Sequence, residues 1–67
     1  MTTQQKRILH ENAAILLLEI EEQEQYIKIC DEHLITAENA YYRQGKERAE
    51  SIKAERLSKY ESLIEQL

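Results

Sequence analysis

The chain contains no proline, no tryptophan and no phenylalanine, and only one glycine and one cysteine. Without proline, no position forbids an α-helix through a missing backbone N–H. The lone cysteine, Cys30, excludes an internal disulfide and points to a reducing compartment, so the expected location is the cytoplasm. Four tyrosines are the whole aromatic set, too few and too scattered to form a platform on which nucleic-acid bases stack. A formal net charge of -4 argues further against nucleic acid, whose binding lives on clustered Lys and Arg. Long apolar runs are also missing. The longest, Ala13-Ala14-Ile15-Leu16-Leu17-Leu18, has six residues, against the ~20 that cross a bilayer. No signal-type cleavage pattern follows it. An acidic amphipathic surface would be repelled by anionic lipid, so no membrane partner is expected.

What remains is Glu, Gln, Lys, Arg, Ala, Leu and Ile, the composition of long helices. The 67 residues make one domain, below the ~70–80 residues at which a single core stabilises a fold comfortably. A second copy is one way to make up the difference.

A row of residues runs through Leu9, Ala13, Leu16, Ile20, Gln23, Ile27, Cys30 and Leu34, spaced alternately four and three apart. That is a coiled-coil seam with one polar interruption, Gln23. A second row runs through Tyr42, Gly45, Ala49, Ile52, Arg56, Tyr60, Leu63 and Leu67, flanked by Leu57 and Ile64. Carried past Leu34, the first row meets Ala37 and Tyr41 and then Gln44, Arg48, Ser51 and Glu55. The two rows are therefore out of phase near 35–42, as at a turn or hinge. Thr36 is a suitable N-cap there, with Glu38 placed where a helix dipole favours an anion. The alternative is Gly45 acting as a helix C-cap. A break at Thr36 leaves arms of similar length that pair along their whole course, so we place the turn at 34–37. An unbroken helix with an irregular seam stays open.

The expected fold is thus all-α: a two-helix antiparallel, coiled-coil-like hairpin over residues 1–67. Helix 1 covers about 5–34 and helix 2 about 37–67. Residues 1–38 hold eight acidic and three basic side chains, and residues 39–67 hold five acidic and six basic ones. This asymmetry favours antiparallel pairing, although each exposed ion pair is worth only ~0–1 kcal/mol. Glu24–Lys28 and Glu55–Lys59 also have the favourable i,i+4 order.

The seam on the first arm is Leu9, Leu16, Ile20, Ile27 and Leu34. It faces Ala49, Ile52, Tyr60, Leu63 and Leu67 on the second. Beside it, at ~100° per residue, lies a second apolar row, Ile8, Ile15, Leu18, Tyr26 and Ile29. Together they form an arc of roughly 200°, twice the ~100° stripe of an ordinary surface helix. Only His10, Glu21, Glu24, Lys28 and Asp31 keep a polar wedge, and even that contains Leu17. The second arm has a narrower arc, interrupted by Lys53 and Arg56, and cannot cover the first. Each fully buried aliphatic side chain contributes ~1.5–3 kcal/mol, so five left wet forgo an energy comparable to a small domain's whole stability. The second row is therefore expected to be an interface, with another copy or with a different protein.

No catalytic constellation is present. Cys30 and His33 share a helix face, but a zinc site needs three or four ligands, and the acidic surroundings disfavour a thiolate. The simpler reading is a small seam cysteine beside a surface histidine. No cofactor, metal or enzymatic activity is expected. The basic residues Arg43, Lys46, Arg48, Lys53, Arg56 and Lys59 are interleaved with Glu47, Glu50 and Glu55 and form no continuous stripe. Tyr41 and Tyr42 are expected to pack within the hairpin near the turn.

The plan resembles two kinds of small protein: dimeric hairpins that regulate plasmid copy number, and hairpin co-chaperones of type III secretion. The second group is similar also in length and in a capped second helix, here Thr36-Ala37-Glu38-Asn39. The size is similar to that of phage-encoded inhibitors, which occupy a host protein surface. The likeness is one of architecture and carries over no residue. It implies a non-enzymatic interaction module: a homodimer, assembled as a four-helix bundle, that blocks or escorts a partner protein. The alternatives are a co-chaperone stable only in a heterocomplex and a small dimeric RNA-binding regulator.

Overall fold

Two reciprocal hydrogen bonds set the start of the first helix. The Gln5 backbone N–H donates to Thr2 Oγ1 at 3.2 Å, and the Thr2 N–H donates to Gln5 Oε1 at 2.9 Å. Such a capping box satisfies donors that a first helical turn leaves free. The computed structural model describes residues 2–67, with helix α1 over Thr3–Thr36 and helix α2 over Ala40–Gln66. The start at Thr3 precedes the expected one near residue 5, because Thr2-Thr3-Gln4-Gln5 carries the capping-box spacing.

The turn also sits later than the sequence suggested. Thr36 ends α1 instead of capping α2, and its hydroxyl donates back to the His33 carbonyl at 2.9 Å. Threonine has this choice because its short side chain reaches back along its own helix as readily as forward. The cap of α2 is Asn39, whose Oδ1 accepts from the Tyr41 N–H at 2.8 Å. Ala37 and Asn39 are both extended, and no described residue has a positive φ. The reversal through residues 37–39 therefore needs no glycine, and Gly45 lies inside α2. Arg43 clamps the turn from the first turn of α2, donating through Nε at 2.9 Å and Nη2 at 2.7 Å to the two Glu38 oxygens. That bond holds the Glu38 carboxyl below its ordinary value and raises Arg43 in turn.

The two helices pack against each other as an antiparallel hairpin. Lys46 Nζ lies 2.6 Å from Asp31, Lys53 Nζ lies 3.5 Å from Glu24, and Arg56 pairs with Glu19, so α2 numbers rise as α1 numbers fall. Glu24 thus reaches across to Lys53, not along its own helix to Lys28. Leu9, Ala13, Leu16, Ile20, Gln23, Ile27, Cys30 and Leu34 are buried or half-buried on α1, as are Tyr42, Gly45, Ala49, Ile52, Arg56, Tyr60 and Leu63 on α2. Leu67 follows α2 and stays exposed. Among the described residues only Ala13, Ile20, Cys30 and Ala49 are buried outright. Tyr42 closes the turn end of the seam by stacking on His33 at 4.1 Å, with Tyr41 edge-on to it but largely in solvent.

The result is a rod of 53 × 14 × 13 Å. Its radius of gyration is 15.6 Å, against the ~11 Å of a compact globule of this length. A rod of two helices has one line of contact and no second layer.

Two outcomes follow from the turn. Asn39→Ala should cost ~1 kcal/mol as the loss of an N-cap, while Thr36→Ala should stay within ~0.5 kcal/mol; thermal unfolding followed by circular dichroism ranks them. Glu38, observed by NMR titration, should have its midpoint below the ordinary carboxylate value, and Arg43→Gln should restore it. Because the folded value is the lower one, the stability from this pair is full above the unfolded value and is lost as pH falls through the folded one.

Candidate interaction surface

Ile8, Ile15, Leu18, Tyr26 and Ile29 lie along one edge of α1, on the side of the seam away from Glu24 and Asp31. All five are exposed, from 39% for Tyr26 to 60% for Leu18. α2 meets only the Tyr26 ring, over Gly45, and leaves the other four open because it packs along the seam. With about half of each side chain still in water, this edge retains on the order of 1 kcal/mol per residue of unrealised burial.

The same face of the hairpin is grooved in three separate stretches, broken between Leu16 and Gln23 where Glu19 pairs with Arg56. The middle groove, about 510 Å³, runs between Asn12, Ile15 and Leu16 on α1 and Ser58, Lys59, Ser62 and Leu63 on α2. Toward the open end it continues past Gln5, Ile8, Leu9 and Gln66 as a space of about 500 Å³. Toward the turn a third depression, about 330 Å³, is lined by Gln23, Tyr26, Gly45, Arg48, Ala49 and Ile52. The two walls differ in chemistry. The α1 wall is aliphatic and aromatic, with Glu11 and Glu22 along its outer edge. The α2 wall is built from serines and from the long polar side chains of Arg48 and Lys59.

Tyr26 crosses from one wall to the other. Its ring lies over Gly45, where a β-carbon would meet the phenol oxygen at 2.6 Å and ring carbons at 3.3 Å. The glycine thus gives the Tyr26 ring room to lie close, and its own backbone angles do not call for it. Partial burial, then the neighbouring Cys30 thiol, push the Tyr26 phenol above its ordinary value.

The opposite face is different. Near the turn it carries the cross-helix pairs Asp31–Lys46 and Glu24–Lys53, with Lys46 also 4.0 Å from Glu50. Asp31 raises Lys46 above its ordinary value. Toward the open end Leu17, Leu57 and Ile64 are exposed and form a smaller apolar patch. Leu57 and Ile64, which flank the second seam, thus add exposed surface beyond the five residues expected from the sequence. Their helical positions, on the Lys53 side of that seam, were the available signal.

The charges are largely spent on one another. Arg43, Lys46, Lys53, Arg56 and Lys59 each lie within 4.0 Å of a carboxylate. Among the described residues Arg48 is the one α2 cation without such a partner, and on α1 Glu21, Glu22 and Glu32 have none. Cys30 is wholly buried. No group of three or more His, Cys, Asp or Glu stands in metal-holding geometry among the described residues. No described helix is long and apolar enough to cross a membrane.

No protein-family model matches the chain, and no curated protein or solved structure is similar to it. The surface must be read from its own chemistry.

The Tyr26–Gly45 contact makes a measurable coupling. In the native background Gly45→Ala sets a helix-propensity gain of ~1 kcal/mol against displacement of the Tyr26 ring. In a Tyr26→Ala background the gain stands alone. A double-mutant cycle by thermal unfolding should give a coupling above ~0.5 kcal/mol; additivity would mean that the ring does not rest on the glycine.

Proposed function

We propose that the protein is a non-enzymatic protein–protein interaction module, a helical homodimer that binds and blocks or escorts a partner protein in the cytoplasm. The observation that carries this reading is the half-exposed apolar edge Ile8, Ile15, Leu18, Tyr26 and Ile29 on the face that holds the three depressions. A face of 53 by 14 Å is of the same order as the ~800 Å² that each partner gives to a standard stable complex. Pairing two hairpins through it makes a four-helix bundle and supplies the second layer that a two-helix rod lacks. The opposite face, with Leu17, Leu57 and Ile64 exposed beside the charged pairs, then remains outward and is the surface offered to the partner. Mutual pairing of most α2 cations with carboxylates disfavours the RNA-binding alternative.

Light scattering on a sizing column, over a range of concentrations, tests the assembly. The expected mass is twice the 8.0 kDa of the chain. A monomer at all concentrations would favour the co-chaperone reading, in which the apolar edge of α1 is covered only inside a heterocomplex. Ile15→Glu and Leu18→Glu should each split the dimer while helical content persists. Leu16→Glu, on the seam, should reduce helical content itself. Identical behaviour of all three would remove the distinction between seam and edge.

A further inference from the structure

The turn that closes the hairpin carries none of the residues that make a reversal obligatory. It holds no glycine and no proline, no described residue has a positive φ, and Ala37 and Glu38 are strong helix formers. Residues 35–41 are all exposed, so the rest of the fold does not cover the reversal. Its holds are local: the Asn39 cap, the Thr36 hydroxyl on the His33 carbonyl, and the Glu38–Arg43 pair. We propose that the chain has a second, opened form, in which residues 37–39 turn helical, α1 and α2 join into one helix, and two chains exchange arms.

The seam suits such an exchange. The pairs Asp31–Lys46, Glu24–Lys53 and Glu19–Arg56 join residues about equally far from Glu38 along the chain. A two-fold axis through Glu38 therefore sets α1 of one chain on α2 of the other with the seam and these ion pairs kept. Exchange of an identical element is a low-cost route to a dimer, because only the hinge changes. The seam also runs on through the hinge. Four residues past Leu34 is Glu38, and four past Glu38 is Tyr42, where the second row begins. That is one residue more than the four-three pattern, a shift of the kind that supercoils absorb by unwinding locally. Ile35 and Tyr41 lie about 60° to either side of Glu38 on that continuous helix. In the hairpin they are the most exposed large apolar side chains among the described residues, at 83% and 73%. In the opened pair each lies on the same side of the seam as its counterpart from the other copy. The apolar edge of α1 takes no part, so the inference stands apart from the homodimer reading above.

Glu38 holds the balance toward the hairpin. There its carboxylate is bonded to Arg43. In the opened pair it faces Glu38 of the other copy across the axis, an unfavourable like-charge contact.

The test is a distance within one chain. Glu21 and Ala54 are exposed, outside every ion pair and level with each other across the hairpin. Glu21→Cys with Ala54→Cys takes two spin labels, while the wholly buried Cys30 stays protected from reagent. Labelled chain is unfolded with a large excess of unlabelled chain and refolded over a range of concentrations, so that pulsed dipolar spectroscopy reads only intrachain pairs. The hairpin gives under ~25 Å, since its helix axes lie about 8–10 Å apart. One continuous helix gives ~50 Å, at 1.5 Å per residue. The long distance should appear as a fraction that rises with concentration, at a mass of twice 8.0 kDa. Glu38→Leu should raise that fraction, and Ala40→Pro should abolish it, because proline suits the first position of α2 but breaks a helix that runs through it. The short distance alone, from the native sequence at every concentration, would overturn the proposal; a dimer mass on that same sample would leave the homodimer reading standing. A long distance at monomer mass, or one that survives Ala40→Pro, would overturn the proposal as well.

Discussion

Two helices share one line of contact, and everything else in this molecule follows from that geometry. Each helix hides only the residues that point at the other, so the interior is a single file of side chains. The file here is narrow: among the described residues an isoleucine, two alanines and a cysteine are the ones almost wholly removed from water. A hairpin of this kind cannot satisfy a helix whose apolar arc is wider than its seam. α1 is such a helix, and the surplus appears as an exposed edge beside a groove. The exposed apolar edge is thus less an added device than a remainder, set by the mismatch between the arcs of α1 and α2.

The hairpin itself could be read from the sequence because its cause is periodic. The four-three spacing from Leu9 to Leu34, the matching row on the second arm and their change of phase each repeat or break over many residues. The residues in those rows are the ones that face inward. Local chemistry was harder to read. Thr36 and Asn39 are both good caps, and spacing alone does not choose between a hydroxyl that turns back to His33 and an amide that turns forward to Tyr41. Thr2 and Gln5 did carry a recognisable pattern, but it lay outside the apolar rows. The cross-helix pairs were visible only as an imbalance of charge between the arms. Which lysine meets which carboxylate depends on a register that the rows do not supply, and so does the meeting of Tyr26 with Gly45.

The polar contacts divide the labour with the seam. At ~0–1 kcal/mol each, exposed pairs such as Lys53–Glu24 add little stability. They are nevertheless specific in a way that aliphatic contacts are not, because a slipped hairpin would set lysine against the wrong partner. Lys46 with Asp31 and Arg43 with Glu38 act close to the turn, where the two arms first meet. Farther from it Arg56 replaces an apolar residue in the seam, and Glu19 answers it from α1.

The cross-helix ion pairs join residues lying about equally far from the turn. Losing one residue from a single arm would therefore move all contacts beyond it to the wrong side of the partner helix. Losing a whole heptad from one arm would keep the faces but leave an unmatched overhang. Only matched heptads, one from each arm, would preserve both faces and partners. The length of this hairpin is thus quantised in evolution, free to grow or shrink in paired steps at any height, while its width is held fixed.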